Sequence, residues 1–178
     1  LESAEAEIIL DSNGAPAEIV KRERGDAEKM IEQFMLTANE AVATLLLDES
    51  IPCVFRVHEA PPEDKLSDFI NYAHNLGFTT DYISAVKCEP RDLAKLINEA
   101  KARGIGEAVS YACLRSMAKA TYSEIHRPHF GLGIENYCHF TSPIRRLSDL
   151  ATHRIIHKVY LGGAAKEKYK SYAKRAAA

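Results

Sequence analysis

Apolar and polar positions follow two different periods along this chain, that of a helix and that of a strand. Glu7 to Val20, EIILDSNGAPAEIV, sets two short apolar runs around Asp-Ser-Asn-Gly, a group that tolerates the positive φ angles of a tight loop. This predicts a β-hairpin. From Asp26 to about Asp48, Ala27, Met30, Ile31, Phe34, Ala38, Val42, Leu45 and Leu46 recur at helical spacing and predict a long amphipathic helix. PCVFRVHE, Pro52 to Glu59, places Cys53, Phe55 and Val57 on one side and Val54, Arg56 and His58 on the other, as a half-buried strand does.

Three further helices are predicted. APPEDK opens the first, Leu66, Phe69, Ile70 and Ala73 form its inward stripe, and Gly77 stops it. The second runs from about Pro90 to Ala102 on Leu93, Leu96, Ile97 and Ala100. The third runs from Gly106 to about Tyr122 on Val109, Ala112, Cys113, Met117 and Ala120. SEIHRPHFGLGIENYCHF then loses all periodicity, yet is too apolar for disorder, and so reads as a functional loop. Ser142 and Pro143 form a helix-start signal, an N-cap oxygen followed by a residue that needs no N–H partner. Ile144, Leu147, Ala151, Ile155 and Val159 would be that helix's buried stripe. The expected class is α+β and helix-rich, with a hairpin, one more short strand and about five helices.

A chain of 178 residues, 46% hydrophobic, can bury one core, so a single domain over 1–178 is expected. The net charge of −2 gives no general basic footprint, and nucleic-acid contact would need local cation placement. Cys53, Cys88, Cys113 and Cys138 show no CxxC pair and read as reduced thiols. No apolar run is long enough to span a membrane, and LESAEAE lacks the basic start of a signal peptide. These features predict a cytoplasmic protein without a membrane partner. The Lys/Ala-rich end, KEKYKSYAKRAAA, has no stop signal and reads as a helix cut short.

Candidate chemistry concentrates in HFTSPIRRLSD, His139 to Asp149. Helix N-termini favour anions, yet this one carries Arg145 and Arg146. The arrangement suits a bound phosphate, with Arg145 offering bidentate contacts and Asp149 fixing it through an i,i+4 pair. A capped surface helix with an Arg145–Asp149 salt bridge fits the same residues. His153 and His157 have a spacing that can bind zinc, but no glutamate follows His153 as a metalloprotease helix requires. Arg56 and His58 share a strand face and suit either RNA contact or a structural ion pair.

HFGLGIENYCHFTSPIRRLSDLATHR, His129 to Arg154, closely resembles the signature of the ribonuclease II/ribonuclease R family, whose catalytic RNB domain hydrolyses RNA processively from the 3′ end. GDAEKMIEQFMLTANEAVA and PCVFRVHEAPPEDK resemble the same family in the same order, closest to its ribonuclease R branch. Leu147 stands where the family usually has an aromatic residue, and Cys138 where a small or hydroxyl residue is common. The resemblance implies that Arg145 is the catalytic arginine at the scissile phosphate. It also implies that Glu32 contacts the 3′-terminal nucleotide, with Asn39 on nearly the same side of the helix. Tyr137, His139, Thr141, Ser142, Arg146 and His153 would line the RNA track, and His129 and Phe130 would anchor the loop, with Gly131 permitting close backbone approach.

The family's magnesium-binding aspartate cluster and flanking RNA-binding β-barrel domains have no counterpart in these residues. The chain therefore reads as the C-terminal part of a catalytic domain, inactive alone, with no metal ligand of its own. Mg2+ would belong to the intact enzyme, which would yield nucleoside 5′-monophosphates. Its expected partners are a single-stranded RNA 3′ end and the remainder of the catalytic domain. The alternative is a non-catalytic RNA-binding module built on a degenerate nuclease half.

Overall fold

The computed structural model describes residues 5–22 and 25–178, with side chains from residue 7 to 20 and from 25 onward. Strands β1 (Glu5–Leu10) and β2 (Pro16–Arg22) pair antiparallel, Ile8 opposite Ile19, with a register shift at Ile9/Leu10. Asp11 closes their loop by accepting the N–H groups of Asn13 and Ala15 at 2.8 and 2.9 Å, and Gly14 takes φ +79°. Residues 7–19 of this hairpin are all exposed.

Helix α1 (Asp26–Asp48) has the predicted length but not the predicted face. Its buried residues are Asn39, Ala43 and Leu46, whereas Met30, Ile31 and Phe34 are exposed. The N-terminal half of the stripe thus lies uncovered, because only the later turns meet the core.

Strand β3 (Phe55–Val57) pairs antiparallel with β4 (Thr121–Ser123). The third of the predicted helices, α4 (Gly106–Ser116), ends six residues early for this reason: Met117 turns extended, and the chain then joins β3 as a strand. The pairing outweighs the helical spacing of Met117 and Ala120, a case of tertiary contact overriding local pattern. Helices α2 (Glu63–Asn75) and α3 (Pro90–Ala102) fall where predicted, with Gly77 at φ +79° beyond the first and Pro90 in the first turn of the second. In all, six α-helices and four strands are present among the described residues.

Two apolar clusters divide the core. One gathers Ala43 and Leu46 of α1, Cys53, Val54, Phe55 and Val57, Cys138, and Ala151 and Ile155 of α5 (Leu147–Ile155), with Ala173 of α6 (Glu167–Ala177). The other joins α2, α3 and α4 through Leu66, Phe69, Leu93, Leu96, Val109 and Cys113. A loop from residue 124 to 146 runs between them, and its Phe130 packs on the second cluster. Burial holds the Cys113 thiol up at about 11, so it stays protonated and inert at neutral pH. No helix among the described residues is long and apolar enough to cross a membrane.

Candidate nucleic-acid interface

The segment Thr141 to Asp149 does not start a helix at Pro143. Ser142 offers its carbonyl to the N–H groups of Arg145 and Arg146 at 3.3 and 3.2 Å, closing a turn over residues 143–145. Arg146 is extended, φ −129° and ψ 124°, so α5 begins only at Leu147. Ile144 and Leu147 are exposed as a result, and the buried stripe is confined to Ala151, Ile155 and Val159.

Asp149 organises this turn. Its carboxylate is fully buried, accepts the Ser142 N–H at 2.8 Å and the Ser148 hydroxyl at 3.2 Å, and pairs with Arg146. The expected Arg145–Asp149 pair is therefore replaced by Arg146–Asp149, because the turn swings Arg145 outward and brings Arg146 back over the carboxylate. Arg145 is exposed and has no ion-pair partner among the described residues.

Asn39 ties α1 to this segment. Its Oδ1 accepts the Phe140 and Thr141 N–H groups at 2.9 and 3.2 Å, and its Nδ2 donates to the Tyr137 hydroxyl at 3.1 Å. At 2% exposure, and with these three bonds made within the protein, it positions the loop. His153 behaves similarly: its ring stacks on Phe140 at 4.1 Å, and Nε2 lies 2.9 Å from the Phe140 carbonyl. That contact commits Nε2, one of the two ring nitrogens through which a histidine can bind a metal.

Edge-to-face rings continue outward. Tyr137 lies 5.3 Å from His129 and 5.8 Å from His139, which in turn meets Tyr122, and Arg56 caps the Tyr122 face at 4.7 Å. Tyr122 Oη and His139 Nδ1 are 2.9 Å apart. Burial, followed by the neighbouring Arg146 charge, lowers the His139 pKa to about 4. Burial and then His58 lower that of His129 to about 4. Both rings are therefore neutral near pH 7.

His58 forms no ion pair among the described residues. Gly131 donates its N–H to Nδ1 at 2.9 Å, which leaves Nε2 as the donor to the Ala118 carbonyl at 2.8 Å. A Cβ on residue 131 would lie 2.5 Å from Nδ1, so glycine is required for this approach. This anchor is missed by alternation alone, since His58 looks like any outward strand residue. His129 does hold its loop, donating its N–H to the Ile134 carbonyl at 2.8 Å.

A groove of about 440 Å3 results, with Glu32, Met35 and Asn39 of α1 on one wall and Tyr137 and Arg146 on the other. The sequence-predicted residues Glu32, Asn39, Tyr137 and Arg146 thus come together. Arg145 lies outside its lining, though near enough for its charge to act on His139. Thr141 Oγ1 is buried with no hydrogen-bond partner. No three His, Cys, Asp or Glu side chains among the described residues converge to hold a metal. The described residues therefore do not fit magnesium.

The model of the RNB domain family matches residues 1–162, and the chain belongs to that family. Within it, the chain is 44% identical over 158 residues to Ribonuclease R 1 of Lactococcus lactis and 42% identical over 161 residues to Ribonuclease R of Thermotoga maritima. These alignments cover 89% and 90% of this chain but 19% and 22% of the relatives, so the chain spans about a fifth of their length. Mycoplasma genitalium RNase R in complex with ribose methylated single-stranded RNA superposes with a TM-score of 0.89 at 31% identity, covering 99% of this chain and 28% of that one. Yeast Ssd1, a pseudonuclease, shares the fold at a TM-score of 0.68 and 21% identity, over 87% of this chain and 20% of its own.

Proposed function

We propose that this chain is part of a 3′-to-5′ exoribonuclease and holds the RNA 3′ end for hydrolysis to nucleoside 5′-monophosphates. The observation that carries this reading is the groove in which Glu32 of α1 faces Arg146 of the signature segment. Arg145, exposed beside it and free of any carboxylate among the described residues, is the cation offered to the scissile phosphate. A planar guanidinium there would bind two phosphate oxygens and stabilise charge that grows in the transition state. Glu32 would accept from the terminal ribose hydroxyls, and Asn39 and Asp149 would keep both walls in register. The RNA-bound relative from Mycoplasma genitalium supports RNA as the ligand.

Hydrolysis would require the remainder of the catalytic domain, with its magnesium, so this chain alone binds without cutting. Incubated with magnesium and 3′-labelled single-stranded RNA, it should bind RNA of unchanged length, and Arg145→Ala should weaken binding about tenfold, the ~1.4 kcal/mol of one charged hydrogen bond. Trimming by the chain alone, abolished by Arg145→Ala, would overturn that division of labour. Absence of RNA binding would overturn the whole reading. Because the fold also occurs in a pseudonuclease, a non-catalytic RNA-binding module is the second reading. It is favoured if the chain joined to its full catalytic domain binds RNA and still leaves it uncut.

A further inference from the structure

We propose that the face formed by the end of α5, the wide turn Ile156–Leu161 and α6 is a track for the phosphates of single-stranded RNA upstream of the 3′ end. The proposal rests on the RNA reading of the groove. Residues 150–178 contain seven Lys and Arg against Glu167 alone, so the other 149 residues carry a net charge of −8. The near-neutral total conceals this division. Arg154, Lys158, Lys168, Lys170, Lys174 and Arg175 are exposed, and none is ion-paired among the described residues.

The packing dictates which way these cations face. Tyr169, Tyr172, Ala173 and Ala176 turn the apolar side of α6 onto the core, leaving its lysines outward. Arg154 is braced there, its Nη1 donating to the Tyr172 hydroxyl at 3.3 Å and its guanidinium 5.7 Å from that ring. Lys170 and Lys174 lie one turn apart, where like charges repel, and a polyanion removes that penalty. Tyr160, 48% exposed, adds a ring face of the kind on which bases stack. Helix α5 connects the two regions: Arg146 precedes its first turn at the groove, and Arg154 follows eight residues on, roughly 12 Å along the axis. RNA fits better than a membrane, since the apolar side of α6 is already buried and cannot insert between lipids.

The test compares the chain with its K168E/K170E/K174E/R175E variant, using a short oligo-uridylate that fills only the groove and one several times longer. Matching circular dichroism and denaturation curves would establish that the variant folds, and the corresponding Lys→Gln and Arg→Gln variant gives a milder second measure. The longer RNA should bind the variant at least tenfold more weakly. Its plot of log affinity against log salt should be shallower by about 3, near 0.7 for each phosphate that the track no longer neutralises. Short-RNA affinity should be unchanged. The proposal is overturned if the unaltered chain binds both lengths equally, or if the variant keeps the long-RNA affinity and salt slope. It is also overturned if only binding to phosphatidylserine vesicles is lost. Failure of the unaltered chain to bind even the short RNA would refute the groove reading as well.

Discussion

Arg146 donates from Nη2 to one oxygen of the buried Asp149 carboxylate at 2.9 Å, and its Nε lies in ion-pair contact 2.9 Å from the other. The neighbouring Arg145 has no such partner among the described residues. Two identical, adjacent side chains are thereby placed differently: Arg146 holds the turn together, and Arg145 stands exposed.

Substitution should separate these roles. Arg145→Ala should leave stability within about 0.5 kcal/mol, as surface changes do. Arg146→Ala strands Asp149 at zero exposure and should cost on the order of 2–4 kcal/mol, somewhat below a wholly buried pair because Arg146 retains 20% exposure. Urea denaturation of both variants checks the contrast, and equal stabilities would refute it.

Asn39→Ala removes the acceptor for two backbone N–H groups and the donor to Tyr137. Each buried group left unpaired costs about 1–3 kcal/mol. A loss of roughly 2–4 kcal/mol is expected, together with faster amide exchange at Phe140 and Thr141. Protection unchanged at those two amides would show that the loop does not depend on Asn39.

Gly131→Ala forces a methyl group into His58 Nδ1. It should destabilise by about 1–3 kcal/mol, the range of overpacked sites. Pairing it with His58→Ala should cost less than the two single changes combined, because the smaller residue removes the clash. Additive losses in a double-mutant cycle would refute this contact.

Acid should loosen the ring ladder. His129 and His139 fold with pKa values near 4, below the ordinary histidine value of about 6.5. Their depressed pKa values mean that the unfolded chain binds more protons between those limits. Stability is therefore full above about pH 6.5, falls as pH drops toward 4, and levels off below that for these two groups. At most about two protons are taken up on unfolding near pH 5, fewer because both rings are partly exposed. His139→Gln should flatten the fall, as read from denaturation midpoints across this range.

Helix α3 shows what local pattern reveals well: a proline in the first turn and four apolar residues at helical spacing, all buried as expected. The bounds of α1 were equally legible, but its buried face was not, since burial depends on which turns meet the rest of the chain. Ser142-Pro143 is a sound helix signal that loses to a competitor seven residues away, because the Asp149 carboxylate takes the Ser142 N–H and the turn takes its carbonyl. The family resemblance singles out Glu32, whereas the arginine pair is legible from the HFTSPIRRLSD motif itself. Neither resemblance nor spacing separated Arg145 from Arg146, since only the extended backbone of Arg146 decides which one reaches Asp149.

Tyr137 lies 98 positions after Asn39, with all of α2, α3 and α4 between them. Those helices pack on one another through contacts of shorter range, whereas the groove walls meet only after a long loop closes at an entropic cost. The site is thus placed late in time as well as far apart in sequence. During synthesis α1 emerges early, and its Asn39 must wait for its partners until the signature segment arrives to complete the opposite wall.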